Sequence, residues 1–309
     1  MSRTSAAAVL VVLICGAGRT LQSESVSVDC DAGGSITKAL AGLHAGDTLI
    51  VTGTCAESVV VPPEAVGITI TGQGKATIRH PTGGEATGSA AHVIYVRGRA
   101  ITITGFTVTG GNDGIHLSGP AHAVIDHNVI VQNRGRAIHL DKGSVAQITN
   151  NTIENNASHG INVAEQSHAR IGFLIPPDEK LAPNIIRGNG GDGVHIERGA
   201  TAWIVGNTIV GNAGNGVALD RNSQADVVGN AISRNVGDGI VATHNSGVNL
   251  MSERTPRREG PNQTEPNAKN GGVGIRCSVG GYVAGPAGTL TGSRGSKSID
   301  TTCVDRIDR

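Results

Sequence analysis

The sequence predicts an all-β fold, a right-handed parallel β-helix with about 23 residues per coil and a short N-terminal capping helix. A five-residue motif recurs seven times along the chain, mostly at steps of 23 residues. Aliphatic and asparagine residues recur at the same steps, and aromatic residues make up only 2% of the 309 residues. Val, Ile and Leu stacked coil upon coil can build such a core without large rings, so the composition agrees with the repeat.

The N-terminus reads "MSRTSAAAVLVVLICGAGRT" and has an apolar run over residues 6–14 followed by small residues. This pattern predicts a signal peptide over residues 1–18 and a secreted or periplasmic protein. The run is too short to span a bilayer and has no longer counterpart, so we expect no membrane span in the mature chain. The 25 Lys and Arg balance the 25 Asp and Glu without a basic stripe, which argues against nucleic-acid binding. We expect a monomer.

Residues 26–309 are predicted to form one β-helix domain with caps over residues 26–58 and 277–309. The segment "SITKALAGLHAGD" begins with Ser35 as a helix N-cap and has apolar residues at positions 36, 39, 40 and 43. A short helix there would cover the open apolar end of the first coil. Beyond the signal peptide four cysteines remain, which allow three pairings in an oxidising compartment. We expect the local pairs Cys30–Cys55 and Cys277–Cys303. The spacing has no CxxC, so a cysteine zinc site is not expected.

The repeat is clearest on the motif "DGIHL". Its copies start at residues 113, 136, 159, 192, 215, 238 and 273, so the steps are 23, 23, 33, 23, 23 and 35. Each unit holds three short β-type runs separated by Gly, Asn and Asp. The two long steps contain the insertions "FLIPPDEKLAP" (173–183) and "MSERTPRREGPNQTEPNA" (251–268). We expect both to be loops at one corner of the coil, where they flank a groove unless that corner lies away from the motif's strand.

Four further sets of residues, called columns here, recur at the same spacing as the motif. Ile115 and Leu117 of the motif point into the core together with two aliphatic columns. Two asparagine columns occupy turns, where each amide can bond the backbone of the neighbouring coil. The aliphatic columns are Ile125, Ile148, Ile171, Ile204, Val227, Leu250 and Ile130, Ile153, Ile186, Ile209, Ile232; the asparagine columns are Asn128, Asn151, Asn184, Asn207, Asn230 and Asn133, Asn156, Asn189, Asn212, Asn235, Asn270.

The chain resembles the right-handed parallel β-helix repeat proteins of the pectin-lyase-like superfamily over residues 30–280. "NTIVGNAGNGVAL" (207–219) and "RIGFLIPPDEKLAPNIIRGNGGDGVHI" (170–196) are typical of that repeat. The resemblance implies work on carbohydrates outside the cytoplasm, as in pectate lyases, polygalacturonases, alginate lyases and epimerases, or an adhesin-like role. The chain lacks the epimerase signature "DPHD" and the polygalacturonase set "NTD…DD…GHG…RIK". "AVIDHN" (123–128) is similar to a pectate-lyase segment and is also one generic coil.

The candidate chemistry lies on the outward face of the motif's strand. One outward column is His116, His139, Asn162, His195, Ala218, Val241 and Arg276; the next is Ser118, Asp141, Ala164, Glu197, Asp220, Thr243 and Ser278. The predicted catalytic residues on this face are His139, Asp141, His195, Glu197, Arg198, Asp220 and Arg221. The other histidines at 80, 122, 127 and 168 are expected to be surface or turn residues.

These residue types suit two reactions on an acidic polysaccharide. A lyase needs a base for the proton at C5 of a uronate, such as His195 or His139, and a cation for the enolate, such as Arg198 or Arg221. Asp141, Glu197 and Asp220 could hold Ca²⁺ through their oxygens. Paired carboxylates such as Glu197 and Asp220 would instead suit glycoside hydrolysis.

A non-catalytic surface, adhesion or structural module is the alternative, because every β-helix covers its outer faces with polar residues. A concave patch with perturbed pKa values would favour an enzyme, and an even spread of charge would favour a scaffold.

Overall fold

The computed structural model describes residues 23–85, 87–174, 180–251, 260–265 and 268–308. The predicted signal peptide, residues 1–18, lies outside this part of the chain. The described residues form a parallel β-solenoid in which each regular coil contributes one strand to each of three sheets, called here sheets I, II and III. Between Ile115 and Ala242 the sheet I strands of successive coils pair in register at steps of 23 residues except across the first insertion, as between Ile138 and Ile161 or Val194 and Val217. The predicted all-β parallel β-helix is therefore confirmed.

The strands belong to the sheets as follows. Sheet I contains Val59–Val61, Ile94–Val96, Ile115–Ser118, Ile138–Asp141, Ile161–Val163, Val194–Ile196, Val217–Leu219, Ile240–Ala242, Ile275–Cys277 and Lys297–Ile299. Sheet II contains Ser25–Asp29, Thr48–Thr52, His122–Asp126, Val145–Thr149, His168–Ile171, Thr201–Val205, Gln224–Val228, Gly247–Asn249, Tyr282–Gly285 and Val304–Ile307. Sheet III contains Thr54–Ala56, Val129–Val131, Thr152–Glu154, Ile185–Arg187, Thr208–Val210 and Ala231–Ser233. The long strands Thr69–Arg79 and Ile101–Thr109 run from sheet II into sheet III.

The core is a set of aliphatic stacks along the solenoid axis. Ile115 pairs with Ile138 and Leu117 with Leu140, and all four are fully buried. The predicted Ile125 and Ile130 columns are buried in the same way. Because each strand contributes alternate residues to the interior, the remaining side chains of sheet I face outward, and these build the candidate site.

Two buried asparagine ladders stabilise the turns. Asn207 is typical: its backbone N–H donates to Asn230 Oδ1 at 2.9 Å, and its Nδ2 donates to the Ile171 carbonyl at 3.0 Å. Its own Oδ1 accepts from the backbone and side-chain nitrogens of Asn184 at 3.0 and 2.9 Å. Each amide thus satisfies polar groups of both neighbouring coils, as the asparagine columns predict.

The N-terminal cap has the predicted helix, Ile36–Leu40, and Ser35 Oγ accepts the Lys38 N–H at 3.3 Å. Ile36 and Leu40 bury their side chains against the first coil. The two disulfides are those expected, Cys30–Cys55 and Cys277–Cys303. At the other end the chain adds one more strand to sheet I, at 297–299, and one to sheet II, at 304–307. A 3₁₀ helix, Gly88–Ala91, is the other helical element of the described chain.

The insertions occupy the corner between sheets II and III. The first forms an antiparallel pair, Phe173–Leu174 with Lys180–Leu181, and Phe173 stacks on Trp203 of sheet II with ring centroids 5.8 Å apart. The second returns to the solenoid at Gln263, which bridges to Ala231 of sheet III. Since sheet I joins the others at different corners, the described residues of these loops do not wall its outer face.

Candidate functional site

The outward column of sheet I stacks as the sequence predicts. Tyr95 pairs with His116, His116 with His139, and His139 with Asn162, which in turn pairs with His195. The rings of His116 and His139 lie 4.3 Å apart. A step of one coil is about 4.8 Å, so every side chain of this column can reach only its nearest neighbours.

A column of aspartates next to the strand completes the site, and the sequence reasoning missed it. Asp113, Asp192 and Asp238 open the motif copies and are buried. Each accepts a backbone N–H of the next coil: Asp113 from Arg136 at 3.0 Å, Asp192 from Asn215 at 2.7 Å, and Asp238 from Val273 at 2.6 Å. The second carboxylate oxygen of each is left to bind side chains of the outward column.

The first group, the N-terminal cluster, consists of His92, Asp113, His116, His139 and Asp141. Asp113 Oδ2 lies 3.3 Å from His92 Nδ1 and 3.3 Å from His139 Nδ1. His116 Nδ1 bonds His92 Nε2 at 3.0 Å, and His116 Nε2 lies 3.3 Å from Asp141 Oδ2. Asp113 is only 1% exposed, so this buried carboxylate contacts His92 and His139 directly and His116 through His92.

Electrostatics keep this cluster's carboxyls ionised. Burial raises the pKa of the Asp113 carboxyl, but hydrogen bonds from His139, His92 and the Arg136 N–H together outweigh it and hold that pKa well below its ordinary value. Burial likewise raises the pKa of Asp141, and the close approach of His116 and Ser118 brings it down to about 2. Burial lowers the pKa of His116, and its histidine neighbours add to this effect against the opposing pull of Asp141.

The second group, the C-terminal cluster, consists of His159, Asp192, His195, Glu197 and Asp220. Asp192 Oδ2 bonds His195 Nδ1 at 2.9 Å and lies 3.4 Å from His159 Nδ1. His195 Nε2 is shielded from solvent and has no hydrogen-bond partner among the described residues. One ring nitrogen of His195 and a carboxylate oxygen each of Glu197 and Asp220 lie within 4.8 Å of one another. Burial lowers the pKa of His159 to about 4, helped by His195. Burial raises the pKa of Asp192, but hydrogen bonds from His195 and the Asn215 N–H lower it overall.

Exposed cations follow the strands of sheet I at the next turn. Lys142, Arg198 and Arg221 have side chains 63%, 51% and 56% exposed. Arg221 lies 3.3 Å from Glu197 and 3.5 Å from Asp220, and Arg198 lies 3.6 Å from Glu197. These loose pairs occupy only some of the five N–H donors of each guanidinium, so the remaining donors are free for an anionic ligand.

Two cavities border the outer face of sheet I. One of about 530 Å³ is lined by His92, Tyr95, His116 and Lys142 and is walled by the 3₁₀ helix Gly88–Ala91. The other, of about 510 Å³, is lined by Lys142, Gly143, Glu165, Gln166 and Arg198. Lys142 lines both, so the two cavities adjoin at this residue, and together they are called the groove here.

The wall of this groove corrects one sequence expectation. His80 was predicted to be a surface or turn residue, but it is 2% exposed. Its Nε2 donates to the Ala90 carbonyl at 2.7 Å, and its Nδ1 accepts the Gly84 N–H at 2.8 Å. The prediction failed because the repeat fades in this coil, where the loop folds back over His80.

The predicted catalytic residues divide between the two clusters. His139 and Asp141 belong to the N-terminal cluster, and His195, Glu197, Asp220, Arg198 and Arg221 gather at the C-terminal cluster. The coil of Asn162 and Ala164 separates them, so one ion could not contact Asp141 together with Glu197 and Asp220. Calcium prefers six to eight oxygen ligands. Two carboxylates supply only part of such a set, and calcium binding by Glu197 and Asp220 stays a prediction.

Comparison with known proteins decides the family. A family model described as "Right handed beta helix region" matches residues 66–172 and 180–255, more than half of the chain. The chain belongs to this β-helix family. No protein with a curated description matches it.

Two solved structures share the fold of this β-helix protein. A pectate lyase, Pel9A, superposes with a TM-score of 0.57 at 14% identity, covering 93% of this chain and 78% of that one. An alginate lyase from Paenibacillus sp. str. FPU-7 superposes with a TM-score of 0.53 at 18% identity, covering 91% and 99%. At these identities the likeness shows the fold alone.

The sequence reasoning missed four residues of the β-helix site: His92, Asp113, His159 and Asp192. Three of them had a signal, because Asp113, His159 and Asp192 share the first position of the motif at the same steps that defined the repeat. His92 had none, since it lies in the loop before a coil that lacks the motif.

No helix of the described chain is long and apolar enough to cross a membrane.

Proposed function

We propose that this β-helix protein cleaves an acidic polysaccharide by β-elimination on the outer face of sheet I, outside the cytoplasm. The observation that carries the proposal is the Asp192–His195 pair, in which the carboxylate holds Nδ1 at 2.9 Å and leaves Nε2 without a partner among the described residues. A histidine held this way has its basic nitrogen free, as a general base requires. The two disulfides support an oxidising compartment.

The arginines beside His195 supply the second requirement of the reaction. A uronate carboxylate that binds Arg198 and Arg221 competes with Glu197, whose contacts with both are 3.3 Å or longer. His195 Nε2 then takes the proton from C5. The C5–H electrons form the C4–C5 double bond, the C4–O bond breaks, and the leaving oxygen takes up a proton. The guanidinium stabilises the negative charge that grows on the carboxylate.

The groove supports a polymeric substrate. It extends from Tyr95 past Lys142 to Arg198, parallel to the solenoid axis, and its cations lie along one edge. An extended chain of uronates could place a carboxylate near each cation. The two solved structures that share the fold are named as a pectate lyase and an alginate lyase, which favours the same class of substrate.

The test is the formation of unsaturated uronides on a panel of pectate, alginate and other uronans, followed by ultraviolet absorbance. The wild-type protein should give product on at least one uronan. His195→Gln should lower the rate by about 100-fold or more, as loss of a general base does. His122→Gln is the matched control, because His122 is an exposed histidine of sheet II.

Absence of product on every uronan would refute the lyase. The rival is a binding module, favoured by the pairing of Lys142, Arg198 and Arg221 with carboxylates. Uronan binding without product would select that rival. An unchanged rate in His195→Gln would refute the assignment of the base.

A further inference from the structure

We propose that the N-terminal cluster binds a transition-metal ion, with Zn²⁺ as its best match, through His116, His139 and Asp141. The proposal does not depend on the proposed lyase activity, whose residues belong to the C-terminal cluster. Ligand atoms of His116, His139 and Asp141 all lie within 4.8 Å of one another, and the three residues are adjacent on two paired strands. Two imidazoles and one carboxylate form a three-ligand set that leaves a coordination position open.

Two buried side-chain atoms of the proposed ligands lack a hydrogen-bond partner among the described residues. His116 Nε2 and Asp141 Oδ1 are inaccessible to solvent and have no hydrogen-bond partner among the described residues. Both residues are 8% exposed. Buried polar atoms without a partner are costly, and a bound ion is one of the few groups that would satisfy them here.

One distance between two of the ligand atoms already fits a tetrahedral ion. Ligands bound at about 2.0–2.1 Å in tetrahedral geometry lie about 3.3 Å from one another. His116 Nε2 and Asp141 Oδ2 are 3.3 Å apart. Lys142 Nζ lies 3.7 Å from the same carboxylate, but its side chain is mostly exposed and can move into solvent when an ion binds.

The surrounding hydrogen bonds prepare both imidazoles for a metal. His139 donates Nδ1–H to Asp113, which leaves the lone pair of its Nε2 free. His116 can donate Nδ1–H to His92 Nε2, while His92 Nδ1 faces Asp113 at 3.3 Å, which leaves the lone pair of His116 Nε2 free. A carboxylate behind each ligating histidine is the usual arrangement at protein metal sites. Asp113 serves both histidines, directly for His139 and through His92 for His116.

The ligand chemistry selects the ion. Imidazole nitrogens suit Zn²⁺ and the neighbouring transition metals, whereas Ca²⁺ and Mg²⁺ prefer oxygen. The site also has a route for the ion and an open side, because the 530 Å³ cavity is lined by His92, Tyr95, His116 and Lys142.

The experiment titrates metal-free full-length protein with Zn²⁺ by calorimetry and with Co²⁺ by visible absorption. One Zn²⁺ per chain should bind, a large excess of Ca²⁺ should not displace it, and Co²⁺ should show the intense bands of a four- or five-coordinate ion. Asp141→Asn and His116→Asn should each weaken Zn²⁺ binding by more than about 100-fold. Asp113→Asn should weaken it by about 10- to 100-fold, as loss of a partner behind a ligand does.

The control is His195→Asn, which alters the C-terminal cluster and should leave Zn²⁺ affinity unchanged. No bound Zn²⁺ in folded wild-type protein would overturn the proposal. So would loss of binding in His195→Asn with retention in Asp141→Asn, or displacement by Ca²⁺. If the variants misfold, wild-type protein still decides: the Co²⁺ complex should show hyperfine-shifted N–H proton signals from two histidines, and a complex without them would refute the site.

Discussion

The asparagine ladder makes the sharpest prediction about stability. Replacing Asn207 with Ala removes the acceptor of the Asn184 N–H, at 3.0 Å, and the donor to the Ile171 carbonyl, also at 3.0 Å. Asn207 Nδ2 also donates to the Val205 carbonyl at 3.1 Å. Asn184 Nδ2 keeps its bond to Ile148, so three buried main-chain groups lose a side-chain partner. Each orphaned group costs about 1–3 kcal/mol, so Asn207→Ala should lower the free energy of unfolding by about 3–9 kcal/mol.

The assay is guanidinium unfolding followed by the fluorescence of Trp203, the single tryptophan of the chain, which lies on the same coil. A local probe is needed because a solenoid can unfold coil by coil. Thr208→Ala is the matched control, since Thr208 is the exposed neighbour and should change stability by no more than about 0.5 kcal/mol. A difference of less than about 1 kcal/mol between the two variants would refute the ladder's role.

Three further predictions concern stability. Because the pKa of His159 is lowered to about 4 in the folded protein, the unfolded chain binds more protons between about pH 6.5 and 4. The free energy of unfolding should therefore fall as the pH drops through this window, by at most about 3 kcal/mol. His159→Asn should flatten this part of a plot of melting temperature against pH, and an unchanged slope would contradict the burial argument. The double variant Cys30→Ser, Cys55→Ser removes a disulfide between residues 25 positions apart and should lower the free energy of unfolding by about 3.5 kcal/mol, measured with denaturant under non-reducing conditions. Equal denaturation midpoints for the wild-type protein and the variant would show that the disulfide does not constrain the unfolded chain. Gly160→Ala places a Cβ 2.6 Å from the carbonyl oxygen of the next coil and should cost about 1–3 kcal/mol by thermal unfolding, whereas an unchanged melting temperature would show that the coils can separate there.

Most of the fold could be predicted from the sequence because a solenoid places repeated residues in direct contact. The column from Ile115 to Ile138 and the ladder from Asn128 to Asn151 are contacts between neighbouring coils, so periodicity alone identifies them. The Ser35 cap and the two disulfides are local and could be predicted for that reason.

The site was only half predictable. The outward column could be predicted because strand alternation sets which side chains leave the core. Asp113 and Asp192 were missed because they lie in the turn before the strand. There the inward and outward alternation of strand side chains does not apply, so it cannot predict where these two side chains point. His80 and His92 depend on how a non-repeating loop folds over the first histidine coil, and periodicity carries no information about such a loop. The insertions were weighed as groove walls, but the corner from which they leave faces away from sheet I.

The most direct test of the account follows the imidazole nitrogens of ¹⁵N-labelled protein by NMR while an oligouronide is added. His195 should have its proton on Nδ1, bonded to Asp192, and its Nε2 signal should shift as the ligand binds. The signals of His122 and His168, on sheet II, should stay in place. An unmoved His195 signal, or a response confined to sheet II, would contradict the assignment of sheet I as the polysaccharide site.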